Sequence, residues 1–335
     1  MNKTTRFILA VLFVLGIGAA LGKALLWGES VTNYGAYVPW GLWVGLYVLL
    51  VAAAAGSAWV AVYVSQGDEG AGDLSRMCLI TAGASLVFGL AFIGIDLGKP
   101  FKGFLIFISP SFSSKLAWAS WLYVGFFIAV AGYLFSGAKK AFLYLAAVAA
   151  VGFLLAESLF FSGMVARAAW SSFLTPIAFF ISAIVAGTAM VCLMAEISGT
   201  SLGKASDGLR KILLYAIGAD VAMEVIHAFT SGSYFGLIAV AILIAPIYLL
   251  LNKEKPLGVM TSGLALFGLA VGKYGFVRYG FSTEAMPGLT EAFQDARLSL
   301  AYMPSVVEWL VAIGFVAGMI LVADAALKKL MPQSR

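Results

Sequence analysis

Ten runs of mostly apolar residues, each near 20 residues long, constrain this chain more than any other feature. An α-helix needs about 20 apolar residues to cross the hydrocarbon core of a bilayer, because each residue adds about 1.5 Å. Each run therefore predicts one transmembrane helix. The predicted spans are 6–27, 39–65, 74–96, 115–136, 139–163, 173–198, 207–230, 233–252, 256–278 and 304–327.

The composition supports the same class. Hydrophobic residues make up 62% of the 335 residues and charged residues only 11%, whereas soluble domains carry about 25% charged residues. We therefore predict an all-α integral membrane protein, with residues 1–335 forming one polytopic domain. The first apolar run follows Lys3 and Arg6, and we expect it to be a helix of the mature protein, not a removed signal peptide.

The distribution of Lys and Arg predicts that both termini are cytoplasmic. With the N-terminus inside, thirteen of the 21 basic residues lie in or beside the inner segments. The net charge of +5 then reflects loop charges, and nucleic acid is not an expected partner. The outer connections 97–114, 164–172 and 279–303 are longer than most inner ones, which favours partner docking on the outer face. The expected location is the cytoplasmic (inner) membrane.

Few side chains could hold a redox centre. The chain has two cysteines far apart, Cys78 and Cys192, and one histidine, His227. An iron–sulfur cluster usually takes four thiolates, and a two-haem cytochrome b takes four axial histidines. We therefore expect no haem, no iron–sulfur cluster and no metal site in this chain. A single haem held by His227 and a methionine is the one alternative left open.

Ionisable side chains within the predicted spans are candidate functional residues, because a charge inside a bilayer is unfavourable. Asp220, Glu224 and His227 lie within about 60° of one another at 100° per residue, so they share one face of the seventh helix. Others lie in the same outer half of their helices: Asp96, Glu157, Arg278 and Glu308. Structural alternatives stay open for several of them. Asp96 ends a helix, Glu308 lies in a first turn, and Arg278 could snorkel. Glu224 and His227 could also be a satisfied buried pair.

Together these residues are typical of proton-coupled quinone chemistry. Oxidising a quinol releases two protons and two electrons, so its ring oxygens need proton-accepting groups beside an aromatic, apolar cleft. Trp43 and Tyr47 share a face of the second helix, which an interfacial aromatic belt explains equally well. The predicted quinone-binding or proton-transfer residues are His227, Glu224, Asp220, Asp96, Glu157, Tyr47, Trp43, Arg278 and Glu308. His227, Glu224, Asp220 and Asp96 are expected to lie in or beside the hydrogen-bonding shell of a headgroup in the outer half of the membrane, and no residue is predicted to be catalytic.

Three segments resemble the membrane subunits of the polysulfide reductase family (NrfD-like proteins). Tyr37–Trp59 resembles the opening Pro-Trp-Gly helix of that family, and Ile95–Pro100 (IDLGKP) is similar to its Asp-Leu-Gly-Arg-Pro turn, with Lys99 in place of Arg. Tyr302–Glu308 (YMPSVVE) resembles the Tyr-x-Pro-Ser-x-x-Glu of the ten-helix, hydrogenase-associated branch, which Arg278 also fits. The chain departs from the eight-helix members at Tyr47, where they place a histidine.

The resemblance implies two four-helix bundles, residues 37–165 and 166–280, and the quinone headgroup is expected between them. Residues 1–36 form a first flanking helix, and 281–335 an outer loop and last helix. It also implies a subunit without its own redox cofactor, which binds menaquinone or ubiquinone as substrate. The implied partner is a ferredoxin-like iron–sulfur subunit on the outer face, attached to a catalytic subunit such as a hydrogenase or molybdopterin enzyme.

A secondary transporter or an ion or proton channel is the alternative function. Most of the nine prolines lie in loops or near helix ends, whereas transporters often break their spans near the midplane. An intramembrane enzyme is less favoured still, because no His-rich metal motif and no serine–histidine arrangement occurs.

Overall fold

The computed structural model describes residues 1–67, 71–231, 234–252, 257–282, 284, 288–293, 295 and 298–331. All regular structure in these ranges is helical, and ten of their helices are long and apolar enough to cross a membrane. The prediction of an all-α, multi-pass membrane protein is confirmed. The ten long helices are α1 (Lys3–Gly22), α2 (Leu42–Val64), α3 (Ala71–Asp96), α4 (Lys115–Phe135), α5 (Lys140–Ser162), α6 (Leu174–Ser198), α7 (Ala205–Ser231), α8 (Tyr234–Leu251), α9 (Val259–Tyr279) and α10 (Val306–Leu330).

The helices pack in two rings of four. Helices α2 to α5 contact one another in sequence and close through α2 and α5, and helices α6 to α9 close in the same way through α6 and α9. Helix α1 lies against α10, which also packs on α3. The described residues thus have the two four-helix bundles and two flanking helices that the family resemblance implies.

Glycine lets the two bundles approach closely along α2 and α6. A Cβ added to Gly187 on α6 would lie 2.1 Å from the carbonyl carbon of Gly56 on α2. Small residues at four-residue spacing allow such close backbone contact between membrane helices, and Ala183 and Gly187 have this spacing. Helix α2 is consequently buried along nearly its whole length.

Loop length distinguishes the two ends of the molecule. The connections 97–114, 163–173 and 280–305 all lie at one end, which we call the long-loop face, and the opposite end is the short-loop face. Helix α1 begins and helix α10 ends on the side of the short-loop face. Which compartment that side faces stays a prediction.

Candidate functional site

The predicted site residues fall into separate groups. Asp220, Glu224 and His227 line a cavity in the second bundle. Tyr47 and Glu157 meet inside the first bundle. The remaining four, Trp43, Asp96, Arg278 and Glu308, lie toward the long-loop face and do not line the cavity. One shared site was expected because the predicted residues lie at a similar depth in the membrane. Depth alone does not determine which neighbouring helices each side chain faces.

The cavity has a volume of about 460 Å³ and lies between α6, α7, α9 and the connection before α6. This is within the second bundle, whereas the sequence analysis placed the headgroup between the bundles. The shared face predicted for Asp220, Glu224 and His227 is the face that α7 turns toward the cavity. A volume of this size suits a small-molecule ligand, since such pockets are commonly about 300–1,000 Å³.

A fourth ionisable side chain, Lys273 of α9, also lines the cavity. Its side chain is 6% exposed, and its ammonium nitrogen lies 4.7 Å from the centroid of the Phe179 ring. Lys273 was not among the site residues predicted from the sequence. Its position about one and a half turns before Tyr279, where α9 ends, was the signal that it lies inside the membrane.

Asp220 and Glu224 attract Lys273 electrostatically. Among the described residues, Asp220, Glu224 and Lys273 make no hydrogen bond, and no ion pair within 4.0 Å joins Lys273 to either carboxylate. Asp220 is nevertheless only 4% exposed. Buried polar groups normally have hydrogen-bonding partners, so the cavity is where these side chains find them.

Two glycines make room for Glu224. A Cβ on Gly272 of α9 would lie 2.8 Å from Oε1 of Glu224, and a Cβ on Gly236 of α8 would lie 3.0 Å from Oε2. The carboxylate therefore sits close to the backbones of both neighbouring helices.

Aromatic rings form the apolar part of the cavity lining. The rings of Phe179 and Phe276 are 5.5 Å apart between centroids, and the His227 ring lies 6.2 Å from both Phe276 and Tyr279. The cavity thus joins an aromatic wall to a row of ionisable groups, which suits a planar ligand with polar edges.

Inside the first bundle, Tyr47 donates a hydrogen bond to Oε1 of Glu157 and lies 3.0 Å from the hydroxyl of Tyr123. Oε2 of Glu157 is buried and accepts no hydrogen bond within the described chain. Tyr123 was not predicted from the sequence. The feature that could have indicated it is a ring with a polar hydroxyl about two turns inside α4. This set is enclosed, because Tyr47 and Glu157 are 6% and 1% exposed.

Glu308 has a structural role at the start of α10. Ser305 caps the helix and forms a capping box with Glu308, as the sequence pattern allows. The Glu308 carboxylate accepts hydrogen bonds from the Tyr302 hydroxyl and from the backbone N–H groups of Asn33 and Ser305, the latter two at 3.1 and 2.8 Å. Trp43 donates to the Glu308 carbonyl oxygen at 3.0 Å. The Tyr302–Glu308 motif therefore joins α10 to the segment before α2.

Asp96 lies beside this network. Its Oδ1 accepts a 2.7 Å hydrogen bond from Tyr34. Burial raises the pKa of Tyr34, and the charge of Asp96 raises it further, so the hydroxyl stays a neutral donor. Lys23 donates to the carbonyl of Ile95 at 2.7 Å, and the Ile95–Pro100 motif is thereby attached to the end of α1.

Arg278 makes a different contact. Its guanidinium donates to the carbonyl oxygen of Leu300, so it connects the end of α9 to the segment that precedes α10. This half-buried side chain therefore does more than snorkel toward the membrane surface, because it binds a specific backbone oxygen.

Comparison with known proteins agrees with the resemblance in the sequence. A family model described as "Polysulphide reductase, NrfD" matches residues 30–285. The chain is also similar to a selenate reductase subunit of Mesobacillus selenatarsenatis, with 24% identity over 398 aligned positions that cover 96% of this chain and 92% of the relative.

Proposed function

Because the chain belongs to the polysulphide reductase (NrfD) family, of which it is a membrane-embedded member, we propose that it is the quinone-reactive subunit of its reductase complex. The similarity to a selenate reductase subunit supports assembly with a catalytic partner. In this proposal the subunit binds menaquinone or ubiquinone and exchanges electrons with an iron–sulfur subunit.

The observation that carries the proposal is the cavity of the second bundle. Its aromatic wall can pack against a quinone ring, and Asp220, Glu224 and His227 can exchange protons with the ring oxygens. Oxidation of a bound quinol would send two electrons to the partner and two protons to such groups. An imidazole is suited to this because its ring nitrogens can both accept and donate a proton.

The long-loop face is the proposed docking surface for the iron–sulfur subunit. The cavity lies in the half of α7 that ends at this face and is lined in part by the connection 163–173. A partner docked there would bring its redox centre nearer to the headgroup than one docked at the short-loop face. With the short-loop face cytoplasmic, this partner would lie outside the inner membrane.

The geometry of helix α8 does not support the transporter alternative. Pro246 lies inside α8, but the helix continues through it from Tyr234 to Leu251. Transporters often have a helix that is broken near the midplane of the membrane. No such break occurs at Pro246.

Filling the cavity tests the proposal. Met223 lines the cavity, and Met223→Trp would occupy the space of the headgroup. Met260→Trp is the matched control, because Met260 of α9 is 69% exposed and does not line the cavity. The intact complex carrying Met223→Trp should lose at least tenfold of its quinone-linked turnover and still reduce an artificial acceptor. Parental quinone turnover in an assembled Met223→Trp complex would contradict the proposal.

A further inference from the structure

The two buried lysines of the described chain have different surroundings. Lys23 is 3% exposed, and its ammonium donates to Oε1 of Glu29 at 2.6 Å and to the carbonyl of Ile95 at 2.7 Å. Lys273 is buried to a similar degree, and its ammonium lies over the face of the Phe179 ring and is attracted by the charges of Asp220 and Glu224. Among the described residues, Lys23 has hydrogen-bond acceptors and Lys273 has none.

An ammonium group has three N–H donors, and leaving them without acceptors in a membrane interior is unfavourable. Lys273 is directed at the cavity, so a ligand or water there must supply the acceptors. A cation over an aromatic ring is attracted to it. The ring is nevertheless no substitute for the hydrogen bonds that the ammonium would donate to oxygen atoms.

The charged and titratable groups around the cavity are unevenly placed. Asp220, Glu224 and His227 come from α7, and Lys273 and Tyr279 come from α9. Helix α6 and the connection before it contribute aromatic, apolar and hydroxyl groups but no charge, and no residue of α8 is among those that line it. A ligand would therefore meet acceptor groups on the side of α7 and one strong donor on the side of α9.

We propose that Lys273 binds one ring oxygen of the headgroup and makes the cavity selective for rings that carry a negatively charged oxygen. This inference rests on the proposed function, since it assigns a specificity-determining residue to the same site. The ring oxygen on the opposite side then faces Asp220, Glu224 and His227. The ammonium can donate a hydrogen bond to a neutral or an ionised ring oxygen, but only the ionised oxygen adds the attraction of opposite charges, which is strong in a low-dielectric interior. Ionised rings therefore gain most from Lys273.

Two probes that differ in one group test this assignment. One is a 3-alkyl-2-hydroxy-1,4-naphthoquinone, whose ring hydroxyl is ionised at neutral pH, and the other is the same compound without the hydroxyl. Their affinities for the solubilised full complex are measured by calorimetric titration. Lys273→Met should weaken the hydroxylated probe at least tenfold and the other probe less than threefold. Lys273→Arg, which keeps the charge, should recover most of the loss.

The pH dependence separates a charge effect from a change in packing. At a pH low enough to protonate the hydroxylated probe, the difference between the parental complex and Lys273→Met should disappear. Lys23→Met removes a buried ammonium elsewhere and should leave the ratio of the two affinities unchanged.

The outcomes distinguish the inference from the proposed function. If Lys273→Met changes both affinities equally or neither of them, Lys273 does not select the charge and the inference is wrong. If Met223→Trp still abolishes binding in that case, the cavity remains the quinone site. If Met223→Trp leaves both affinities unchanged, the ligand lies outside the cavity and both proposals are wrong.

Discussion

Buried carboxylates in this protein divide by how their oxygens are used. Glu308 accepts three hydrogen bonds within the protein, whereas Asp220 and Glu224 line a cavity without one from any described residue. A carboxylate that is already satisfied fixes neighbouring segments, and one that faces a cavity is available to a ligand. Sequence position alone did not distinguish Glu308 from Asp220 and Glu224.

Glu308 provides a test of that distinction. Glu308→Ala would leave the Tyr302 hydroxyl and two backbone N–H groups near the start of α10 without their acceptor. Each unsatisfied buried donor costs about 1–3 kcal/mol, so the apparent melting temperature of the purified complex should fall clearly. Quinone turnover per assembled complex should stay near the parental value. A large loss of turnover with unchanged thermal stability would instead give Glu308 a direct role.

His227 should behave in the opposite way. Its imidazole lines the cavity, and His227→Ala should lower quinone-linked turnover strongly while the complex stays assembled. Electron transfer to an artificial acceptor at the catalytic subunit measures the rest of the complex and should persist. If the variant turns over quinone at the parental rate across pH 6 to 8, His227 is a structural residue, and Glu157 with Tyr47 becomes the next site to test.

At the scale of the helices, hydrophobic run length predicted every span, because the bilayer sets the required length. The helical period also predicted the common face of Asp220, Glu224 and His227. The period could not predict which neighbours that face would meet, so it missed Lys273 of α9 and Tyr123 of α4. Such partners depend on how helices distant in the sequence pack together.

The contact between α2 and α6 gives a prediction at this scale. Gly187→Ala would place a methyl group 2.1 Å from the Gly56 carbonyl carbon and force the two bundles apart. Overpacking of this kind typically costs about 1–3 kcal/mol, so the yield of folded protein in size-exclusion chromatography should fall. Gly218→Ala on α7 is the control, because nothing lies within 4 Å of an added Cβ there. Equal yields of the two variants would show that the α2–α6 contact is not tight.

For the whole molecule, loop lengths predicted a face suited to partner docking, and the helices do place the long connections at one end. The family match and the reductase relative are consistent with a membrane subunit that works within a complex. A single sequence could not predict that the candidate residues would separate into a cavity, an enclosed pair and a network. That separation follows from packing of residues up to 275 positions apart, such as Asn33 and Glu308.

Site-directed cross-linking can locate the partner. A photoreactive amino acid at Val165, which is 81% exposed near the long-loop face, should cross-link the iron–sulfur subunit in the native complex. The same group at Lys139, exposed at the short-loop face, should not. Cross-links to the iron–sulfur subunit from Lys139 alone would place the partner on the other face.

The most direct test of the central claim is to map where a quinone binds. A photoreactive quinone would be bound to the purified complex, activated by light and located by mass spectrometry of the labelled peptides. The account predicts labels on the cavity walls, near Phe179 of α6, Met223 to His227 of α7 and Phe276 of α9, and their loss in Met223→Trp. Labels confined to the first bundle, around Tyr47 and Tyr123, would contradict it.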